Sequence, residues 1–187
     1  MKHAPPLRLV PGGRHAAVRI AGIDVVPSPP GDPPFAADTH VVEEDTWRLL
    51  SPGPSLQRSS EHTVRLMTDL VHDQPAAPGR VLVGRHRWRA VVYDLDREPI
   101  CRPDWIAAAL DAVLRLVRAR GRRSLALPLL GCSHGPIGWR QALELALEAL
   151  EGSARPPFPA RVWLQVDPQR RAEVLEALRD HRGGLRR

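Results

Sequence analysis

The segment richest in chemical possibility is Gly131-Cys132-Ser133-His134-Gly135-Pro136-Ile137-Gly138, which stands between an apolar run and a helical pattern. Glycines at 131, 135 and 138 leave backbone N–H groups uncovered ahead of a helix whose positive dipole end points at them, an arrangement suited to phosphate. The Ser133 hydroxyl and the His134 ring add donors for an anion, and Gly138 allows close approach at the helix start. The same residues match G-x-S-x-G, the strand-turn-helix nucleophile elbow of serine hydrolases. Asp167 and His181 follow in the order such a triad needs, so Ser133, Asp167 and His181 form an alternative, catalytic set. Against it, Pro136 and Gly138 delay a helix that an elbow starts at its serine, and Asp167 stands where a helix N-cap belongs. Cys132 and His134 are too close in one turn to aim at each other as nucleophile and base.

The remaining reactive residues point nowhere in particular. Eight histidines and two cysteines lack metal-ligand spacing, so neither a metal nor a cofactor is expected. Cys101 and Cys132 fit a reducing compartment, and the start Met1-Lys2-His3-Ala4-Pro5-Pro6 lacks the pattern of a secretory signal, so a cytoplasmic location is expected. No apolar run approaches the roughly 18 residues that span a bilayer. The chain of 187 residues carries a net charge of +6; Lys2 is its only lysine, and it has no asparagine. Arginine and proline enrichment of this kind is what a GC-rich genome produces, and the cluster Arg115, Arg118, Arg120, Arg122, Arg123 with Arg182, Arg186 and Arg187 reads first as solvated helix faces. An interaction module for nucleic acid, through phosphate contacts, or for protein is the other reading.

The elements that must position the glycine loop fall into two unequal halves. Residues 1–78 are proline-rich and weakly patterned. Short β-branched runs at 7–10, 17–20 and 23–26 suit strands, 41–50 is ambiguous, and Pro27 to Pro34 reads as an extended connector. A helix is expected over 60–72, where Val64, Met67 and Val71 share a face. After Pro78 strands and helices alternate: strands at 81–83 and 90–93, a helix from Pro103 to Gly121, a buried strand over 124–130, a helix over 139–151, a strand over 161–166 and a last helix that Asp167 caps. That order predicts an α/β sandwich with parallel neighbours, and ligands in such a sheet sit at the carboxyl ends of the strands.

The stretch Arg122-Arg123-Ser124-Leu125-Ala126-Leu127-Pro128-Leu129-Leu130-Gly131-Cys132-Ser133-His134-Gly135, with the Ala- and Leu-rich helix after it, resembles the second half of a macrodomain. Ala90-Val91-Val92-Tyr93-Asp94, the Pro103 helix, the 162–166 strand and the final helix occur in the order of that family, so the likeness covers about 79–180. The resemblance implies one domain with a three-layer α/β/α sandwich, a mixed, largely parallel central sheet, and a loop at 131–135 that wraps the diphosphate of ADP-ribose. It also implies a Gly-Asp pair after the first strands whose carboxylate holds the adenine amino group; the equivalent stretch is read as Pro11-Gly12-Gly13, which lacks the acid. It implies next a strand ending in asparagines at the distal ribose, for which Gly22-Ile23-Asp24-Val25-Val26 stands.

The expected function is therefore binding of ADP-ribose or a related phosphate-bearing nucleotide through Gly131, Cys132, Ser133, His134, Gly135 and Gly138, with Asp24 facing the nucleoside. A chain without asparagine lacks the usual ribose contacts, so no catalysis is expected. The alternatives are the Ser133 hydrolase and a ligandless interaction module.

Overall fold

The computed structural model describes residues 15–50, 75–153 and 159–184. The expected strand at 7–10, the helix at 60–72 and the Pro11-Gly12-Gly13 stretch lie outside the described residues. The remaining elements share one seven-stranded sheet in the order β1-β2-β7-β6-β3-β5-β4. Its strands are β1 (Val18–Ile20), β2 (Ile23–Ser28), β3 (Thr39–Asp45), β4 (Val81–Val83), β5 (Arg87–Tyr93), β6 (Ser124–Pro128) and β7 (Arg161–Gln165). The five inner strands are mutually parallel, and β1 and β4 close the two edges antiparallel to β2 and β5.

Proline at position 27 is compatible with a strand for a reason the sequence alone hides. Ser28 turns its carbonyl toward β7, where it accepts from Val166 N at 3.2 Å. Pro27, one residue earlier, therefore turns its nitrogen to the other side, where β1 has already ended at the Val18–Val25 pair, so no ladder bond is lost. The segment read as a connector is thus β2 as far as Ser28. The ambiguous stretch after residue 40 is strand β3, central in the sheet.

Two helices return the chain between strands, α1 (Pro103–Ala119) and α2 (Trp139–Gly152), and a third, α3 (Arg171–Gly184), follows the last strand. Pro103 sits in the first turn of α1, where a missing N–H costs nothing, and Asp104 favours the positive helix end. Its buried stripe Ile106, Ala109, Leu110, Val113, Leu114 and Val117 keeps the spacing of one helix face. The crossovers β5-α1-β6 and β6-α2-β7 move the same way across the sheet, so right-handed connections put α1 and α2 on one face. There Arg118 Nη2 donates to the Ser153 carbonyl beyond α2 at 2.6 Å, and His181 of α3 meets Glu151 of α2 at 2.7 Å. Asp167 caps a short 3-10 turn, Pro168–Arg170, by accepting from Gln169 N at 2.7 Å, and α3 starts only after it.

The arginine cluster lies on the outer side of α1 and in the turn to β6. Arg118 is tied as above, Arg120 stacks 5.7 Å from the Trp88 ring centroid, and Arg122 Nη2 reaches the Arg85 carbonyl at 3.4 Å. With Arg85 and His86 in the β4–β5 turn and Arg87 at the start of β5, these cations gather at the amino edge of the sheet, opposite the carboxyl edge. Burial, then Arg87 and His86, hold the His40 ring below its ordinary pKa there.

Leu127 on β6 is 1 % exposed between its neighbouring strands, whereas Leu95 is 45 % exposed. Leu127→Ala is expected to cost about 3 kcal/mol of stability through lost burial and a residual cavity, and Leu95→Ala less than about 0.5 kcal/mol. Urea unfolding of the two variants checks this.

Candidate functional site

At the carboxyl edge, the ends of β3, β5 and β6 meet beneath the glycine loop. Strand β3 ends in Glu43-Glu44-Asp45, all buried. Buried carboxylates need donors, and each finds them close by. Asp45 accepts from Trp47 N through Oδ1 at 2.7 Å, and from Leu49 N and Leu50 N through Oδ2 at 2.7 and 2.9 Å. Glu44 Oε1 accepts from Leu50 N at 3.0 Å, and Arg89 Nη1 of β5 lies 3.8 Å from its other oxygen. Glu43 reaches across to the loop, where its Oε1 accepts from Gly131 N at 2.5 Å, and it also accepts a hydrogen bond from the Tyr93 hydroxyl. Tyr93 Oη in turn accepts from His134 N at 3.2 Å, and its ring meets the His134 ring edge-on at 5.8 Å.

Glu43 and Tyr93 thus hold both ends of the turn, and the glycines follow from that closeness. Gly131 has φ of 89°, a left-handed conformation, and a Cβ there would lie 2.5 Å from Ile106 Cδ1. A Cβ on Gly135 would lie 2.9 Å from both Cys101 Cβ and the Tyr93 ring. Gly138, the N-cap of α2, has open space around it, so no protein atom demands glycine there. Ser133 and His134 are exposed, and Cys132 is half-buried with its N–H on the Leu129 carbonyl at 3.3 Å. Among the described residues no acceptor is recorded for the N–H groups of Ser133 and Gly135.

The structure brings Gly131 through Gly135 and the start of α2 together, as the sequence suggests, and leaves Asp24 out. Asp24 opens β2 at the amino edge, level with Arg161 and, through it, with Ser124. Its carboxylate pairs with Arg19 at 2.8 Å, a full strand length from the loop. Another acid, Asp32, lies at the carboxyl edge. Gly31-Asp32 follows β2 directly, on the carboxyl edge, and is a Gly-Asp pair after the first two strands. His15 Nε2 lies 3.5 Å from Asp32 Oδ1, and the His15 ring is flanked by Ser28 Oγ and Arg171 Nη2, each at 3.2 Å. The strand that follows the pair is β3, which ends in acids. The readable signal for both was Gly-Asp ahead of Thr39–Asp45, masked by the surrounding prolines and by the run of charge.

The hydrolase set does not assemble. Five residues separate Ser133 from the start of α2, Asp167 is spent on its cap, and His181 is on Glu151 at the far end of α3. Among the described residues no group of three metal-ligating side chains forms, and no helix is long and apolar enough to cross a membrane.

No family model matches the sequence, and no curated protein matches it. Solved structures do. The chain superposes on the Oceanobacillus iheyensis macrodomain with ADP at a TM-score of 0.65 and 12% identity, covering 89% of this chain and 95% of that one. A mutant of the same macrodomain with ADP-ribose gives 0.65 and 11%, over 89% and 97% of the two chains. The macro domain of ganglioside induced differentiation associated protein 2 gives 0.55 and 14%, over 82% and 81%. At such identities the likeness is one of architecture, and this chain has the macrodomain fold, in a divergent form.

Burial, and then the Glu43 carboxylate, push the Cys132 thiol up to about 11. A raised thiol pKa leaves little thiolate at neutral pH, so alkylation of Cys132 at pH 8 is expected to run about 100-fold slower than that of an ordinary cysteine. The rate should climb steadily toward pH 11, and peptide mapping of iodoacetamide-treated protein separates it from buried Cys101.

Proposed function

We propose that this chain binds ADP-ribose or a related phosphate-bearing nucleotide across the carboxyl edge of its sheet, and does not hydrolyse it. The observation that carries the reading is the pair formed by the glycine loop after β6 and Gly31-Asp32 after β2. Ser28, Gln165 and Pro128 are in register across β2, β7 and β6, so the two sites stand two strand spacings apart, about 10 Å. That separation suits a nucleoside at Asp32 whose phosphates reach the N–H groups of Ser133 and Gly135 and the open N-terminus of α2. The likeness to macrodomain structures holding ADP and ADP-ribose supports the same ligand class.

The composition of β3 supports binding without turnover. Where the family resemblance implies asparagines, this strand offers Glu43, Glu44 and Asp45, and Asp45 spends its oxygens on the backbone N–H groups of 47, 49 and 50. Carboxylates have no amide donor for a ribose, and the oxygens of Asp45 are already engaged by the backbone. Cys132, held neutral, offers no nucleophile.

Calorimetric titration with ADP-ribose, ADP and AMP tests the reading. Binding of ADP-ribose is expected, and Gly135→Glu should abolish it, because its side chain would overlap Tyr93 and Cys101. Asp32→Ala, at an exposed position that leaves the fold intact, should weaken binding about 10-fold, the worth of one hydrogen bond to a charged group. Absence of heat from the wild type with all three nucleotides would overturn the assignment.

A further inference from the structure

The outer edge of the sheet at β4 is made of Val81, Leu82 and Val83, an apolar run with no charge of its own. Edge strands usually carry charge or proline that discourages pairing. The hydrogen bonds on either side of β4 fix which backbone groups face outward. Gly84 N donates to Arg87 O at 3.1 Å and Arg80 O accepts from Val91 N at 2.9 Å, so residues 80, 82 and 84 turn toward β5. Val81 and Val83 therefore turn their N–H and carbonyl groups to the open side, and no partner is recorded for them among the described residues. The Val83 side chain is 37 % exposed, so this end of the edge is left uncovered.

Beside this edge runs a groove of about 440 Å³ between β4 and α1. Its α1 side is Ala112, Arg115, Leu116 and Ala119, a stripe at helical spacing next to the buried one, and its β4 side is Val81. Val83, two residues on, shares the face of Val81. The groove is pinned at one end, where a Cβ on Gly79 would lie 2.8 Å from the Ala108 Cβ of α1. Cations bracket the apolar run: Arg80 precedes it, Arg85 follows it, and Arg115 stands on the far rim, all three exposed. Among the described residues none of the three pairs with a carboxylate, and Arg115 Nε donates to the Asp111 carbonyl at 3.4 Å.

An added strand would lie one strand spacing, about 4.8 Å, beyond β4. It would meet the outward N–H and carbonyl groups of Val81 and Val83 and set alternate side chains against the α1 stripe, the mode by which extended peptides enlarge a sheet. Charge decides the occupant. A second copy of this chain would bring Arg80, Arg85 and Arg115 against their equivalents, and a nucleic acid makes no use of outward peptide groups or an apolar stripe. We propose that the β4 edge docks an extended segment of a partner protein, with a β-branched apolar centre and acidic flanks. The edge is three strand spacings from the glycine loop, across β3 and β5, so it stands independently of nucleotide binding.

A fluorescein-labelled peptide, Asp-Glu-Val-Ile-Val-Glu-Asp, tests this by fluorescence anisotropy at low salt. The wild type is expected to bind it, and to bind neither a counterpart with lysine for each acid nor a copy N-methylated along its apolar centre, which lacks donors on both of its edges. Val83→Pro removes one outward N–H and no bond to β5, a place where an edge strand accepts proline, and it should weaken binding about 10-fold. Arg80→Glu together with Arg115→Glu alters only exposed charges and should weaken it by about 10-fold or more. Circular dichroism checks that both variants are folded, and the charge variant carries the test if the proline variant is not.

No binding up to about 1 mM peptide, equal binding of the lysine or N-methylated peptide, or an unchanged affinity in the charge variant would overturn the proposal. So would a dimer in sedimentation that Val83→Pro dissolves, which gives the edge to a second copy. A random-sequence duplex held through Arg80 and Arg115 in place of the peptide would overturn it as well.

Discussion

A negative charge buried at the end of a central strand has to be met by hydrogen donors from somewhere, and much of the carboxyl edge is arranged to supply them. Glu43 draws on the first N–H of the glycine loop and on the Tyr93 hydroxyl, and Tyr93 then receives the N–H of His134. Three elements distant in sequence, β3, β5 and the β6–α2 loop, are fastened through two side chains. Replacing either member leaves an unsatisfied buried polar group, which costs more than the bond it removes. Asp45 and Glu44 repeat the device on the other side, gathering the backbone of 47 to 50. The edge where ligands bind in open α/β sheets is here stiffened by its own acids.

The helices and the loop were legible because their signals are local. Pro103 and Gly121 mark the ends of α1, the apolar stripe gives its inner face, and glycines at 131 and 135 announce a tight backbone. Strand β3 was not legible, since Thr39–Asp45 ends in three charged residues that a sequence reading assigns to solvent. Their burial depends on partners that come from far along the chain, Gly131, Tyr93 and Arg89. Pro27 in β2 was hidden for a similar reason: only the early end of β1 makes a strand proline harmless there. The choice of Asp24 came from the same source. Without β3 in view, the only strand available for the nucleoside side was β2, and its acid points to the opposite edge.

Charge is also partitioned along the strand direction. The amino edge gathers Arg85, Arg87, Arg120, Arg122 and Arg123, with His40 kept from protonation beside them, while the carboxyl edge buries carboxylates. Arginine enrichment, whatever its origin, is accommodated where helices end and where carbonyl acceptors such as those of Arg85 and Ser153 are free to take guanidinium donors. The glycine loop itself, between Arg123 and Arg140, carries backbone dipoles and no lysine or arginine.

The wedged fit of the loop sorts its positions by mutational tolerance. Gly131 and Gly135 are closed to any side chain by Ile106, Tyr93 and Cys101, whereas Ser133 and His134 are exposed and Gly138 has room around it. Sequence drift at this edge is therefore channelled into three positions that face solvent. New surface chemistry is accessible there by single substitutions, without disturbing the pinned backbone that presents it.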